Sequence, residues 1–224
     1  MTTDGFRDRD EAGERLGARL SELALSDPLV LAIPRGGVEV GAAIARALDA
    51  ELDVVLSRKL RAPAQPELAL GAVSEGGEVY LNREAVEMTG SSAAYIDEER
   101  RRQLGEIARR AQLYRTVKPA ARIEGRSVII TDDGLATGST MIAGLRTVRE
   151  QRPRELICAV PVAPPERLEE VRRLCDTLLC LLAPARFWAV GQFYGDFVQV
   201  ADDRVVALLA QFGRAGAAPE SAGG

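Results

Sequence analysis

Short apolar runs alternate with amphipathic segments along most of this chain. Within residues 7–25, leucines recur every three or four positions, which predicts an amphipathic helix. The apolar run at 29–33 is interrupted by PRGG and followed by a helical pattern, and a second apolar run lies at 52–57. The order strand, turn, helix and strand predicts a right-handed βαβ unit.

The middle of the chain has a weaker pattern. Between residues 58 and 80, prolines and a glycine pair interrupt short apolar runs, which favours a hairpin or a flexible excursion over a helix. A long polar helix is predicted at 95–117. Beyond it we predict strands at 127–133, 155–163 and 177–183, with helices at 139–151 and 165–174.

Strands that alternate with helices imply an α/β fold, in which a Rossmann-like, mostly parallel sheet is flanked by helices on both faces. Five of the ten aromatic residues lie at 187–200, and a last helix is predicted at 202–212. Residues 214–224 are rich in Ala, Gly and Ser, so we expect disorder there. The 224 residues, 46% of them hydrophobic, are expected to form one domain over 1–213.

Composition and charge exclude several classes of protein. No apolar run approaches the ~20 residues of a membrane helix, and the charged N-terminus lacks a signal-peptide core, so we expect no membrane partner and a cytoplasmic location. Three cysteines without metal-ligand spacing favour reduced thiols. The net charge of −4 argues against a nucleic-acid partner.

The absence of histidine narrows the chemistry further. It excludes Ser-His-Asp and Cys-His catalysis and zinc sites built on imidazole. Acid and base work therefore falls to carboxylates, lysine, tyrosine or the substrate itself. Of the 29 basic residues only Lys59 and Lys118 are lysines, which draws attention to both.

The stretch VIITDDGLATGST, residues 128–140, runs from a predicted strand into two acids and then into small hydroxylated residues. Ligands of open α/β sheets collect beyond the carboxyl ends of the strands, where this turn must lie. Free amides at the start of the next helix and the hydroxyls of Thr137, Ser139 and Thr140 suit a phosphate. Asp132 and Asp133 can accept hydrogen bonds from a vicinal diol or lie near a divalent cation. A diol and a phosphate together indicate a ribose 5-phosphate.

An alternative interpretation makes this stretch purely structural. The acids would then cap the following helix, and the Gly, Ser and Thr residues would form only a turn. Two other nucleotide-binding folds are excluded, because the chain has neither a Gly-Lys-Ser/Thr Walker loop nor the G-x-G-x-x-G pattern.

The stretch 128–140 resembles the phosphoribosyl-pyrophosphate motif of the type I phosphoribosyltransferases. The segments FRDRDEAGERLGARL, PRGGVEVG and FWAVGQFYGDF resemble a less characterised subgroup of that family, so the likeness covers most of residues 6–210. It implies the type I phosphoribosyltransferase fold, with a core at about 25–185 and a small hood of N- and C-terminal segments, mainly 186–212. It also implies a flexible loop at about 60–94 that covers the reacting groups.

The resemblance also assigns roles to residues. Asp132 and Asp133 would hold the ribose hydroxyls, and the 5-phosphate would be wrapped by Ala136, Thr137, Gly138, Ser139 and Thr140. The leaving pyrophosphate would meet Arg35, Gly36 and Gly37 of PRGG, and Arg58 and Lys59 at the end of the second strand. Arg35 and Lys59 would share the catalytic work with the two acids. The alternatives are a plain tight turn for PRGG and a solvated strand end for Arg58.

The metal and base sites follow from the same resemblance. It implies Mg²⁺, with Asp132 and Asp133 acting indirectly, and Asp196 lies one position from a metal-facing acid of relatives. Trp188 resembles the aromatic residue on which several relatives stack the nucleobase, with core packing as the alternative.

Two departures from the family pattern concern the acceptor. Ala136 stands where hypoxanthine-type relatives have an acid, so no general base is assigned, and Glu67 and Glu75 are candidates by location alone. The segment AVPVAPPE at 159–166 lacks the lysine with which relatives recognise oxopurines. The implied partners are phosphoribosyl pyrophosphate and a nitrogen heterocycle that the sequence does not identify. A homodimer is also implied, since relatives are often dimers.

Two other functions compete with this one. A non-catalytic sensor of phosphoribosyl pyrophosphate or a nucleotide could use residues 95–126, with nine basic and five acidic side chains, as a contact surface. Glu98 with Arg102 and Glu106 with Arg110 have, however, the i, i+4 spacing of an ordinary solvated helix. A phosphohydrolase would need a D-x-D arrangement of acids that the motif lacks.

Overall fold

The computed structural model describes residues 5–63, 65 and 68–212. Seven α-helices lie within these residues: α1 (Arg9–Leu20), α2 (Gly37–Leu48), α3 (Arg83–Thr89), α4 (Ala93–Tyr114), α5 (Ser139–Arg149), α6 (Pro165–Arg172) and α7 (Asp202–Gln211). The strands are β1 (Leu29–Ala32), β2 (Glu51–Val54), β3 (Ser57–Arg61), β4 (Ala69–Ser74), β5 (Val79–Leu81), β6 (Ser127–Thr131), β7 (Glu155–Val162) and β8 (Thr177–Leu182).

The central sheet is parallel and has the strand order β2-β1-β6-β7-β8. In the register of the neighbouring strands β1 and β6, Leu29 lies beside Val128 and Ala32 beside Thr131. β1 and β6 therefore end at the same edge of the sheet, and the PRGG loop and the two acids follow from that edge. The predicted α/β fold is confirmed.

Alternate residues of the central strands face two apolar layers, as a sheet covered on both faces requires. Val30 and Ile129 pack on the side of α1 and α2, whereas Leu31 and Ile130 pack on the side of α5. These continuous apolar runs are the strands that the sequence pattern predicts. The buried strands form a rigid support for the loops at their ends.

Helices α1 and α2 approach each other closely because α1 carries two glycines one turn apart. A Cβ atom on Gly13 would lie 2.5 Å from the carbonyl oxygen of Val40, and one on Gly17 would lie 2.6 Å from Cβ of Ala47. Any larger side chain would push the helices apart. This contact brings the N-terminus of α1 to the N-terminus of α2, next to PRGG.

β3, β4, β5 and α3 form a second unit, and the single strand predicted at 52–57 is wrong. β2 ends at Val54, and Ser57 begins β3 of a separate antiparallel sheet with the order β3-β4-β5. The segment from about 60 to 94, expected to be a flexible loop or hairpin, contains the β4–β5 hairpin and the short helix α3. The hairpin agrees with the prediction, whereas no sequence pattern indicates α3.

The aromatic segment 187–200 folds back over the end of the central sheet. It includes one 3₁₀ turn, Val190–Phe193, and Phe6 pairs with Tyr194 through a backbone bridge. An apolar cluster of Phe6, Phe193 and Tyr194 joins this segment to the start of the chain. From here on, the name hood is used only for residues 5–8 and 187–200, because residues 202–211 form the separate helix α7.

Element ends differ from the predictions by several residues. The first helix, predicted at 7–25, extends only from Arg9 to Leu20. It begins at Arg9 because Asp8 caps its N-terminus by accepting a hydrogen bond from the Glu11 amide. The helix predicted at 95–117 begins instead at Ala93, after the capping residue Ser92. The tail predicted at 214–224 lies outside the described residues, and no helix within them is long and apolar enough to cross a membrane.

Candidate active site

Asp132 and Asp133 follow directly after β6, at the carboxyl edge of the parallel sheet. The alternative that they cap α5 is wrong, because the N-cap residue of α5 is Gly138 and the first amide of the helix, at Ser139, donates to the Thr137 hydroxyl and not to either acid. Asp132 instead accepts a hydrogen bond from the Asp133 amide through Oδ1, at 2.8 Å. Both acids are half-buried. Burial, and then the charge of Asp133, raise the pKa of Asp132 well above its ordinary value.

The two glycines of PRGG pack against these acids. A Cβ atom on Gly36 would lie 1.9 Å from Oδ2 of Asp133, and one on Gly37 would lie 3.0 Å from Oδ1 of Asp132. The peptide bond between Pro34 and Arg35 is cis. Because no side chain fits at positions 36 and 37, the sequence Gly-Gly lets the loop after β1 touch the acids after β6 directly.

Arg9, to which no sequence pattern points, contacts the second acid. Its Nε atom donates to Oδ2 of Asp133 at 2.9 Å, although 124 positions separate the two residues. The Arg9 side chain is only 8% exposed. The close packing of α1 on α2 explains how the first residue of α1 reaches this site.

Arg35 points to a different neighbour. Its guanidinium lies 4.0 Å from the carboxylate of Asp202, at the start of α7. The same carboxylate accepts a hydrogen bond from the Tyr114 hydroxyl at 2.9 Å. Arg35, Gly36 and Gly37 do not line the cavity described next, whereas Pro34 does.

A cavity of about 340 Å³ lies beside the acids. Its lining includes Asp132 and the turn residues Thr137, Ser139 and Thr140. Gly138 has a φ of 74°, a left-handed conformation that glycine adopts readily, and it is the capping residue that precedes α5. The amides at the start of α5 therefore lie on the same turn as the hydroxyls, and amides at a helix N-terminus attract anions.

Four basic side chains line the same cavity: Arg58, Lys59 and Arg61 of β3, and Arg110 of α4. Burial, and then the positive charge of Arg110, lower the pKa of Arg58. The Nε atom of Arg61 is buried and has no hydrogen-bond partner among the described residues. A cavity with one carboxylate and four basic side chains favours a multiply charged anion.

Arg61 and Arg110 were not selected from the sequence. The pairs expected on the surface of α4 are wrong, because Glu106 contacts Arg109 at 3.7 Å and Arg58 at 3.8 Å, and Arg102 pairs with Glu99. Arg110 makes no ion pair within the part of the chain that the structure describes. The i, i+4 spacing predicts that Arg110 pairs with Glu106 on the helix surface, whereas its side chain lines the cavity.

The remaining predicted site residues lie apart from this cavity. Trp188 in the hood is 86% exposed, so the alternative of core packing is wrong for it. Asp196 lines a different cavity, of about 600 Å³, together with Arg9 and Glu39. Ala136 is exposed at the turn before α5. Neither Trp188 nor Asp196 contributes to the lining around Asp132.

Of the two candidate bases, Glu75 is held elsewhere. It forms two hydrogen bonds with Arg115, at 2.9 and 2.7 Å, and Arg115 also bonds to the buried carboxylate of Asp53. This ion-pair group joins the β4–β5 turn to β2 and α4, which is a structural task. Glu67 lies outside the described residues.

Known proteins match this chain over most of its length. A protein of Mycobacterium tuberculosis whose name assigns it provisionally to the phosphoribosyl transferases is 42% identical over 204 residues, which are 91% of this chain and 46% of that protein. A ribose-phosphate pyrophosphokinase of Sulfurisphaera tokodaii is 31% identical over 145 residues, 60% of this chain and 48% of that protein. The chain thus spans about half the length of the curated relatives it matches.

A solved structure agrees with the fold in detail. The crystal structure of a protein from Thermus thermophilus has a TM-score of 0.89 and 44% identity, and the match covers 93% of this chain and 99% of that one. The family model described as the phosphoribosyl transferase domain matches residues 9–197, which include Arg9, PRGG, the two acids and the turn. The chain therefore belongs to the phosphoribosyl transferase family.

Proposed function

We propose that this protein transfers the ribosyl 5-phosphate group of phosphoribosyl pyrophosphate to a nitrogen nucleophile, a nucleobase, and releases pyrophosphate. The observation that carries this proposal is a single cavity that joins Asp132 and the hydroxylated turn at 137–140 to four cations. Phosphoribosyl pyrophosphate has three parts that such a cavity suits. Its ribose hydroxyls need a hydrogen-bond acceptor such as Asp132, its 5-phosphate needs the hydroxylated turn, and its diphosphate needs the basic side chains.

In this mechanism the chain's residues bind and orient one substrate. The turn at 137–140 holds the 5-phosphate through hydroxyls and backbone amides. Asp132 and Asp133 accept hydrogen bonds from the ribose hydroxyls. As the bond from the anomeric carbon to pyrophosphate breaks and the bond to nitrogen forms, charge grows on the leaving group, and Arg58 and Lys59 stabilise it.

Magnesium fits this site only as an ion carried largely by the substrate. No group of three or more acidic, cysteine or histidine side chains that could hold a metal occurs among residues 5–63, 65 and 68–212. Mg²⁺ commonly takes one or two carboxylates and completes its shell with phosphate oxygens and water. Asp132 and Asp133 supply such carboxylates, and the ion would neutralise charge on the pyrophosphate.

The acceptor is proposed to lie against the hood, where the exposed Trp188 offers an aromatic surface for a heterocycle. Arg35 is proposed to contribute to the leaving-group side once it separates from Asp202. Dimer formation and a cytoplasmic location stay predictions. A surface for nucleic acid on α4 is not favoured, because Asp97 pairs with both Arg100 and Arg101, and Glu99 pairs with Arg102.

The proposed function is tested by incubating the protein with phosphoribosyl pyrophosphate, Mg²⁺ and a panel of nucleobases and other nitrogen heterocycles. Pyrophosphate release that depends on one of these acceptors is the expected result. Thermal shifts with phosphoribosyl pyrophosphate and with nucleoside monophosphates are measured in parallel, because a ligand of the folded state raises its stability. Binding without turnover over the whole panel would instead support the non-catalytic sensor.

Replacing Arg110 by Ala should weaken binding of phosphoribosyl pyrophosphate without destabilising the fold. The loss of one charge-assisted hydrogen bond predicts a rise of about tenfold in KM. The free energy of unfolding should not fall, because Arg110 makes no ion pair within the described residues and repels the neighbouring Arg58. Steady-state kinetics and chemical denaturation measure the two quantities.

Arg109→Ala is the matched control for this prediction. Arg109 neighbours Arg110 on the same helix, but its side chain is exposed and contacts Glu106 at 3.7 Å. We expect KM to change less than about twofold, since an exposed ion pair contributes little. Equal effects of the two substitutions on KM would show that general charge, and not the cavity lining, governs binding.

A further inference from the structure

Arg9 makes more contacts around the second acid than a structural ion pair on a surface requires. Its Nε atom donates to Asp133 at 2.9 Å, and its NH1 atom donates to the carbonyl oxygen of Val198 at 2.8 Å. The guanidinium carbon lies 3.9 Å from the centre of the Phe197 ring, and Glu39 is 3.7 Å away. One side chain thus joins α1, the acids and the hood.

We infer that Arg9 is a positioning residue, which fixes the carboxylate of Asp133 for the ribose hydroxyls and holds the hood segment at 197–198 against the same site. This inference rests on the proposed function. It assigns a substrate-directed task to the first residue of α1, a helix that otherwise packs on α2.

The geometry leaves Asp133 little freedom. On one side, the space that a Cβ atom of Gly36 would fill is taken by Oδ2 of Asp133, at 1.9 Å, and by Nε of Arg9, at 2.9 Å. On the other side, the Tyr194 hydroxyl donates to the carbonyl oxygen of Asp133 at 2.7 Å. Arg9 and Tyr194 therefore fix the side chain and the backbone of the same residue.

The charges point the same way. Asp132 and Asp133 are adjacent and half-buried, so their carboxylates repel each other in surroundings that screen charge poorly. Arg9 is the cation that forms an ion pair with Asp133 among the described residues. Without it, the second carboxylate would turn toward solvent and lose the orientation needed to accept a bond from a sugar hydroxyl.

The hood contacts extend this role. Phe197 stacks on Tyr194, with ring centres 5.0 Å apart, and the Arg9 guanidinium lies over the Phe197 ring. Arg9, Phe197 and Tyr194 therefore form one stack beside Asp133. A shift of the hood would alter the same hydrogen bonds that orient the acid, which couples the two.

The test compares Arg9→Ala, Arg9→Lys and Arg15→Ala by calorimetric titration with two probes, ribose 5-phosphate and inorganic phosphate. Arg15 is a control on the same helix, since its guanidinium lies 4.8 Å from the Phe6 ring of the hood and away from the acids. Arg9→Ala should bind ribose 5-phosphate roughly tenfold more weakly, while its affinity for phosphate at the turn stays unchanged. Arg9→Lys should recover part of the loss, and Arg15→Ala should match the unmodified protein.

Each outcome separates this inference from the proposed function. If the unmodified protein binds neither ribose 5-phosphate nor phosphoribosyl pyrophosphate, the proposed function fails. If it binds both and Arg9→Ala binds ribose 5-phosphate equally well, only the role of Arg9 is overturned. Equal weakening of both probes in Arg9→Ala would also overturn it, because that result indicates a general structural defect. No recovery in Arg9→Lys would overturn it as well, because a cation at position 9 would then not be what orients Asp133.

Discussion

Replacing Asp132 and Asp133 together by Asn is expected to abolish pyrophosphate release while the protein stays folded. Asn has the same shape as Asp, but it lacks the charge and offers one acceptor oxygen in place of two. The ribose hydroxyls would lose their acceptors, and Arg9 would lose its ionic partner. We expect kcat/KM to fall by about 1000-fold or more, as when preorganised polar groups are removed from an active site.

The two single variants should differ in stability. Asp132→Asn relieves repulsion between adjacent carboxylates, so its free energy of unfolding should equal or exceed that of the unmodified protein. Asp133→Asn removes the partner of the buried Arg9 guanidinium and should destabilise by about 1–3 kcal/mol. Thermal and chemical unfolding measure this difference.

Asp203→Asn serves as the control for charge alone. Asp203 lies in the first turn of α7, where its side chain is exposed, and the substitution should leave turnover unchanged. Turnover by the folded double variant at the normal rate would refute the assignment of the site to these two acids.

The hydrophobic pattern and the turn residues of the sequence predict one part of the candidate site, namely the part formed by β6 and the turn that follows it. The run 128–130 has the continuous apolar character of a strand buried on both faces, and two acids and then hydroxylated residues follow the strand. The position of the acids and of the turn at 137–140 follows from this pattern. The topology of a parallel sheet then brings the PRGG loop to the same edge.

Contacts between distant segments could not be predicted in this way. Arg9 and Asp133 meet because Gly13 and Gly17 let α1 lie directly on α2, and a pair of glycines within a helix is not by itself a signal of such packing. The spacing Gly-x-x-x-Gly was visible in the sequence. This spacing predicts close helix packing only when the partner helix also presents small residues, which here are Ala43 and Ala47.

Two further features could not be predicted from local sequence patterns: the strand boundaries near residue 56 and the side of α4 that faces the cavity. The apolar run at 52–57 contains the end of one sheet and the start of another, and hydrophobicity does not distinguish them. Glu106 has suitable helical spacing to both Arg109 and Arg110. The position of the antiparallel sheet determines which arginine pairs with Glu106. Arg58 on β3 also approaches Glu106, which contacts Arg109, and Arg110 faces the cavity.

Replacing Gly36 by Ala should reduce turnover nearly as much as changing an acid, although it adds one methyl group. The backbone at Gly36 has φ −58° and ψ −36°, which Ala adopts without strain, so the effect is purely steric. The new Cβ would lie 1.9 Å from Oδ2 of Asp133 and 2.9 Å from Nε of Arg9. Either the carboxylate turns away or the loop at 34–37 moves off the acids.

We expect kcat/KM of Gly36→Ala to fall by about 100-fold, because small displacements of substrate-positioning groups have effects of that size. Gly105→Ala is the matched control, since a Cβ atom there meets nothing within 4 Å and the site lies inside α4. Its turnover should be normal and its stability higher by about 1 kcal/mol. Normal turnover of Gly36→Ala would contradict the close contact between PRGG and Asp133.

The double variant Gly36→Ala with Arg9→Ala identifies which contact the methyl group breaks. If the methyl group acts by separating Asp133 from Arg9, then removing Arg9 as well should cost little more than the first substitution alone, since coupled residues are not additive. If it acts by displacing the loop at 34–37, the two losses in kcat/KM should multiply. Kinetics of the two single variants and the double variant, measured under the same conditions, decide between these two causes.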